Sequence, residues 1–157
     1  MITLFTIGYE RGTPDRFIAA LRGAGVRHLI DVRAVALSRK PGFSKSRLAS
    51  RCIDAGLEYS HLPALGNPRE GRAAARAGRM DEFRAIFAAW LQTATAQAGL
   101  HELAKAARTS PACLMCFERA PNTCHRSMVA DALAEQTGCE IRHLFAAGPA
   151  KYVRNAA

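Results

Sequence analysis

The run Pro111-Ala112-Cys113-Leu114-Met115-Cys116-Phe117-Glu118, followed after a short gap by Cys124-His125-Arg126, decides how this chain is read. Residues 112–117 are apolar without alternation and too few for a helix, which marks a strand buried on both faces. Such a strand needs helices on both sides of its sheet. Asn122 or Thr123 then caps a helix over residues 124–137, Gly138 closes it, and residues 140–145 form a last strand.

Working toward the N-terminus, the same alternation recurs. Residues 1–7 read as a strand ending at Gly8-Tyr9, and Thr13-Pro14-Asp15 as an N-cap with proline at the first helical position. Phe17, Leu21 and Ala24 share a helical face that Gly25 ends, and residues 26–32 form a second buried strand. Ser44 caps a helix bearing Leu48, Cys52 and Ala55, and residues 57–62 form a third strand. Phe83, Ile86, Phe87, Trp90 and Leu91 fall at helical spacing, and a weaker pattern runs on through Leu100, Leu103 and Ala107. Strand–helix alternation without repeats or linkers predicts one domain over residues 1–157. Its expected class is three-layer α/β, a largely parallel sheet with helices on both faces, Rossmann-like or flavodoxin-like.

In such sheets the working site lies beyond the carboxyl ends of the strands. Here those ends carry Tyr9 and Glu10, Asp31 and Arg33, His61, and Glu118 followed by Cys124-His125-Arg126. Composition points the same way. The 157 residues are 49% hydrophobic and 22% charged, which excludes a disordered chain, and no apolar run suits a membrane span. No secretory signal is visible, so a cytoplasmic location is expected. A net charge of +9 favours an anionic partner, a small molecule or nucleic acid, or else a solvated arginine-rich surface. Five cysteines, an odd number, argue against a disulfide framework and leave core residues, a reactive thiol or metal ligands.

Cys124 is the foremost chemical candidate. In the first turn of a helix, beside His125 and Arg126, its thiol would be partly ionised, and an anion would be drawn to the same place. That makes Cys124 a nucleophile with His125 or Glu118 as acid or base, or else a packed core residue with Arg126 fastening loops. Asp31 and Arg33 either present a guanidinium fork to an oxyanion or close the strand end as an ion pair. The segment from Arg33 to Arg51 holds Ser38, Arg39, Lys40, Lys45 and Arg47 without an acid, and suits a phosphate backbone or nucleotide. Phe43 within it stacks on a base or plugs the core. Arg69, Arg72, Arg76 and Arg79 would form one basic stripe if helical, read as a solvated face. Cys113 and Cys116, three apart in a strand, face opposite sides and make a poor zinc knuckle. Cys116, Cys124 and His125 would give three metal ligands, a reading placed below the anion site; no metal or other cofactor is assigned.

At these residues the chain resembles the family of domain of unknown function 488. The resemblance rests on Thr6-Ile7-Gly8-Tyr9, Asp31-Val32-Arg33 with Ser38-Arg39, Tyr59, Leu65-Gly66 with Arg69, Cys116-Phe117-Glu118 and Cys124-His125-Arg126. It departs at Ala36, where the family usually has proline, and at Asn67, where it favours glycine. The resemblance implies an α/β fold and a site at these motifs, and no particular reaction. The expected function is an enzyme acting on an anionic, phosphorylated or nucleic-acid-derived substrate. Tyr9, Arg33, Ser38, Arg39 and Arg126 bind it, and Cys124, His125, Glu118 and Asp31 do the chemistry. The alternatives are a nucleic-acid-binding module using the basic segment and a metal-binding protein.

Overall fold

A computed structural model describes residues 1–146. Five strands, β1 (Thr3–Gly8), β2 (His28–Asp31), β3 (Glu58–His61), β4 (Ala112–Cys116) and β5 (Glu140–Phe145), form one sheet in the order β3-β2-β4-β1-β5. Every pairing is parallel. Six α-helices connect and cover it: α1 (Pro14–Gly23), α2 (Lys45–Asp54), α3 (Arg69–Arg76), α4 (Met80–Leu91), α5 (Ala94–Thr109) and α6 (His125–Thr137). The three-layer α/β architecture is thus present.

The period-2 geometry of the strands sorts their side chains between two cores. Leu4, Ile30, Ala112 and Leu114 pack with residues of α3, α4, α5 and α6 on one face. Phe5, Ile7, Leu29, Cys113 and Met115 pack with α1 and α2 on the other. The central strands are apolar on both sides because both sides are covered.

Local chemistry explains most boundaries. Thr13 caps α1, its hydroxyl accepting from the Arg16 N–H at 3.2 Å, and Pro14 occupies the first turn. The clear helical stripe from Phe83 and the weaker pattern after it are two helices, because Thr93 caps a fresh start and accepts from Ala96 N–H at 3.2 Å. Ser44 stands at the N-cap of α2 without capping it. Its hydroxyl accepts from the Ser38 N–H at 3.0 Å and donates to the Ser38 carbonyl at 3.2 Å, pinning the basic loop. Phe43 is a core plug, wholly buried, stacked on Tyr9 at 4.6 Å and edge-on to Phe17 at 5.3 Å.

One start differs in a way that matters. Asn122 and Thr123 belong to a short 3-10 turn, and Cys124 is itself the N-cap of α6. Its sulfur, 3.5 Å from the Arg126 N–H, takes the acceptor place usually filled by a serine or aspartate oxygen.

Candidate functional site

The neighbouring strands β1 and β4 send their chains to opposite faces, β1 into α1 and β4 into α6. Between two such strands the loops part and leave a crevice beyond the carboxyl ends. The loops are zipped at their base: Tyr9 N–H donates to the Cys116 carbonyl at 3.1 Å and Glu10 N–H to the Phe117 carbonyl at 2.8 Å. Glycine is required at position 8, since a Cβ there would lie 1.7 Å from the Glu118 carbonyl oxygen.

A cleft of about 580 Å³ opens above this base. Tyr9, Arg33, Cys116, Glu118 and His125 from the sequence-derived set line it. So do Asn67, Arg72 and Arg76 from the segment that follows β3, which folds back over the strand ends. Arg72 donates to the Asn67 carbonyl at 2.9 Å. The Asn67 side chain lies against Gly71, where a Cβ would meet its Oδ1 at 2.0 Å, and that buried oxygen has no hydrogen-bond partner. Val35, Leu37 and Phe117 add an exposed apolar rim, with Phe117 edge-on to Tyr9 at 5.3 Å.

Asp31 stands behind the cleft wall rather than in it. It is wholly buried, and its oxygens accept from Arg33 N–H (3.1 Å), Arg33 Nε (2.9 Å), Arg33 Nη2 (2.7 Å) and the Tyr59 hydroxyl (2.5 Å). Burial pulls the Arg33 guanidinium down, but the hydrogen bonds and charge of Asp31 more than offset this and leave it above its ordinary value. Burial and Asp31 together raise the Tyr59 hydroxyl. The carboxylate expected to be catalytic thus spends its hydrogen bonds on Arg33 and Tyr59 and lies outside the cleft lining. The Arg33 Nη1 points on toward the Tyr9 hydroxyl at 3.4 Å.

At the floor, β4 and α6 bring a second group together. Cys116 shares the strand face of Ala112 and Leu114, toward α6, and its sulfur bonds Cys124 in a disulfide with an S–S distance of 2.08 Å. The reading of the cysteines as core residues, a reactive thiol or metal ligands rather than a disulfide framework is corrected for these two, whereas Cys52, Cys113 and Cys139 are free and buried. Cys113 packs in the opposite core, as the three-residue spacing requires.

His125 is buried against this pair. Its Nε2 lies 2.6 Å from the Val32 carbonyl, which only accepts, so Nε2 carries the proton and Nδ1 turns a lone pair to the Cys124 sulfur at 3.6 Å. Burial pushes the imidazole down to about 4, so it is neutral at physiological pH. The Glu118 Oε2 lies 3.5 Å from the Cys116 sulfur. Burial raises its carboxyl above the ordinary value, against the opposing pull of its own backbone N–H and of Arg126.

Arg126 is wholly buried and does not line the cleft. Its Nη1 donates to the Cys116 sulfur (3.1 Å) and the Glu118 carbonyl (2.5 Å), Nη2 donates to the Arg119 carbonyl (3.3 Å), and Nε has no partner. Burial pushes it down to about 10. Arg126, expected to grip substrate, instead turns into the core, because adjacent helical residues face different ways. Cys124 is 2% exposed, with its sulfur bonded to Cys116, so it offers no nucleophile to the cleft in this form. Ser38 lines a separate depression with Lys40, Lys45 and Arg47, and the exposed Arg39 stands outside the cleft.

The guanidiniums that reach the cleft were therefore partly missed. Arg69, Arg72 and Arg76 lie on α3 and Arg79 beyond it at the N-cap of α4, and only the fold places α3 over the strand ends.

Comparison with protein-family models matches residues 13–133 to the domain of unknown function DUF488. No curated protein and no solved structure matches.

Proposed function

The chain belongs to the family of domain of unknown function DUF488, and from that premise we propose that it is an enzyme acting on an anionic, phosphorylated or nucleotide-like substrate in the cleft. One observation carries this reading. Arg72 and Arg76 stand in the cleft wall, and among the described residues the ion pairs involve neither. Arg33, by contrast, is already neutralised by Asp31, so the two helical arginines supply the unmet positive charge. The exposed rim of Val35, Leu37 and Phe117 suits an apolar or aromatic body attached to the anion. Cys116, Glu118 and His125 line the same cavity, so the residue types that do chemistry lie where the ligand would sit.

The test is calorimetric titration of a nucleoside monophosphate at low salt. A hydrogen bond to a charged group contributes about 1.5–3 kcal/mol, so Arg72→Ala and Arg76→Ala should each weaken binding roughly ten- to a hundredfold. Arg39→Ala should not. Equal affinity in all three variants refutes the reading.

A second reading rests on the depression of about 600 Å³ where Lys40, Lys45 and Arg47 converge without an acid in its wall. It makes the basic loop a nucleic-acid contact, whose affinity falls linearly in logarithm with salt and is lost in Lys45→Ala/Arg47→Ala.

A further inference from the structure

We propose that Cys116, Cys124 and His125, in the reduced protein, form a binding site for one thiolate-preferring divalent transition metal, with zinc the best fit. The site sits in the cleft floor and does not depend on which anion the cleft takes.

The donors are of the right kind and already gathered. Cys116 Sγ, Cys124 Sγ and a ring nitrogen of His125 all lie within 4.8 Å of one another, and all three residues are buried. The imidazole is prepared as a ligand: its Nε2 is fixed on the Val32 carbonyl at 2.6 Å, and its bare Nδ1 faces the sulfurs. A backbone carbonyl on the far nitrogen is the usual way a metal-binding histidine is oriented.

The distances also fit. A tetrahedral ion with Zn–S of about 2.3 Å and Zn–N of about 2.0–2.1 Å sets a sulfur and a nitrogen ligand about 3.6 Å apart. Cys124 Sγ and His125 Nδ1 are 3.6 Å apart. The backbone holds the two cysteine Cα atoms 7.5 Å apart. Once the bond between the sulfurs is reduced, Cα atoms at this separation let both thiolates reach a single tetrahedral ion.

Charge supplies an independent reason. Arg126 is a wholly buried cation with no carboxylate at ion-pair distance among the described residues, and its Nε is unpartnered. Its Nη1 donates to the Cys116 sulfur at 3.1 Å. Thiolates at Cys116 and Cys124 are the anions that this guanidinium lacks. Three protein ligands leave the fourth position open on the cleft side, where the buried Cys116 and His125 line the cavity and Glu118 stands 3.5 Å from the Cys116 sulfur. That is the pattern of a catalytic rather than a purely structural zinc.

Loading the site from the disulfide form takes two electrons, supplied by a dithiol reductant that is itself oxidised to a disulfide. The two thiols then release two protons as the ion binds.

The experiment uses the full chain, purified without a histidine tag, reduced with a dithiol and transferred to anaerobic buffer. Titration with Co²⁺ should give thiolate-to-cobalt charge-transfer absorption that saturates at one ion per chain, and Zn²⁺ should displace it. Cys116→Ser and Cys124→Ser should each abolish that absorption, and His125→Gln should weaken Co²⁺ binding by about tenfold or more. Cys52→Ser serves as the control with the absorption retained. Circular dichroism of each variant confirms that it is folded, and a variant that fails to fold is replaced by alanine at the same position. The proposal is overturned if the folded, reduced wild type shows no saturating absorption, or if Cys116→Ser keeps it unchanged. A normal response to the nucleotide in a protein that binds no metal would leave the anion reading standing and remove this one.

Discussion

Asparagine in place of Asp31 keeps the shape of the side chain and removes its charge, and the structure says what that costs. Asp31 accepts four hydrogen bonds, three from Arg33 and one from Tyr59, at 2.5–3.1 Å. Both partners of the ion pair are nearly sealed, with side-chain exposures of 7% for Arg33 and none for Asp31. Removing one member of a buried pair leaves the other charge uncompensated and costs about 3–5 kcal/mol. Arg33 borders the cleft and can turn toward water, which points to the lower end, about 3 kcal/mol. That is a large share of the roughly 5–15 kcal/mol that holds a domain together. The assay is urea unfolding followed by far-UV circular dichroism, comparing wild type, Asp31→Asn, Arg33→Met and the double variant. The double variant should be more stable than Asp31→Asn alone, because it no longer buries a lone guanidinium. Asp15→Asn, which breaks only the exposed pair with Arg51, should leave the midpoint unmoved. An Asp31→Asn cost below about 1 kcal/mol, or a double variant no better than the single, would refute the account of Asp31 as the residue that holds Arg33 in place.

Two further outcomes follow from packing and protonation. Phe43→Ala should cost about 3–5 kcal/mol, since it empties a wholly buried site between Tyr9 and Phe17; an unfolding midpoint like that of wild type would return Phe43 to the ligand-stacking role. Burial lowers the imidazoles of His28 and His143 below their ordinary 6.5, with Glu58 and Asp131 opposing in part and Arg126 reinforcing the fall at His143. The unfolded chain therefore takes up protons first. Their contribution to stability is complete above pH 6.5 and is lost as pH falls through that value toward the lowered folded-state ones. Unfolding midpoints should decline from pH 7 to pH 5 and decline less steeply in His28→Gln, whereas superimposable profiles would contradict the assignment for His28.

Most of the fold was legible because it depends on local signals. The unalternating apolar run in β4, the Thr13-Pro14 start of α1 and the Phe83 stripe of α4 each declare their element within a few residues. The strand-end rule then gathered Tyr9, Arg33, Glu118 and His125 around one cleft before any contact was known. What escaped were facts about direction. Whether the arginines of α3 face solvent or a cleft depends on where β4 and the start of α6, both later in the chain, come to lie beside the other strand ends. Thr93 itself ended one helix and started another because its hydroxyl could cap, a competition that apolar spacing does not register.

Arg126 shows the same limit at the scale of one residue, and also where the limit can be pushed back. Its tripeptide announces thiol, imidazole and guanidinium together, which suggests three groups converging on one ligand. A helix start turns successive side chains by about 100°, so only some of them can reach the cleft. Cys124 caps the helix, His125 meets the cleft and the Val32 carbonyl, and Arg126 turns beneath them into the core. The burial of that guanidinium is what gives the neighbouring sulfurs their meaning. A cation sealed at this depth needs a negative partner, and among the groups it touches the Cys116 sulfur is the one that becomes able to carry a negative charge once the disulfide is reduced. The strand alternation that put Cys116 on the face of Leu114 and away from Cys113 was visible in the sequence all along. Joined to the cap position of Cys124, it places both sulfurs at the same corner of the sheet. The three residues thus divide into a cap, a side chain that borders the cleft and a buried charge beneath both.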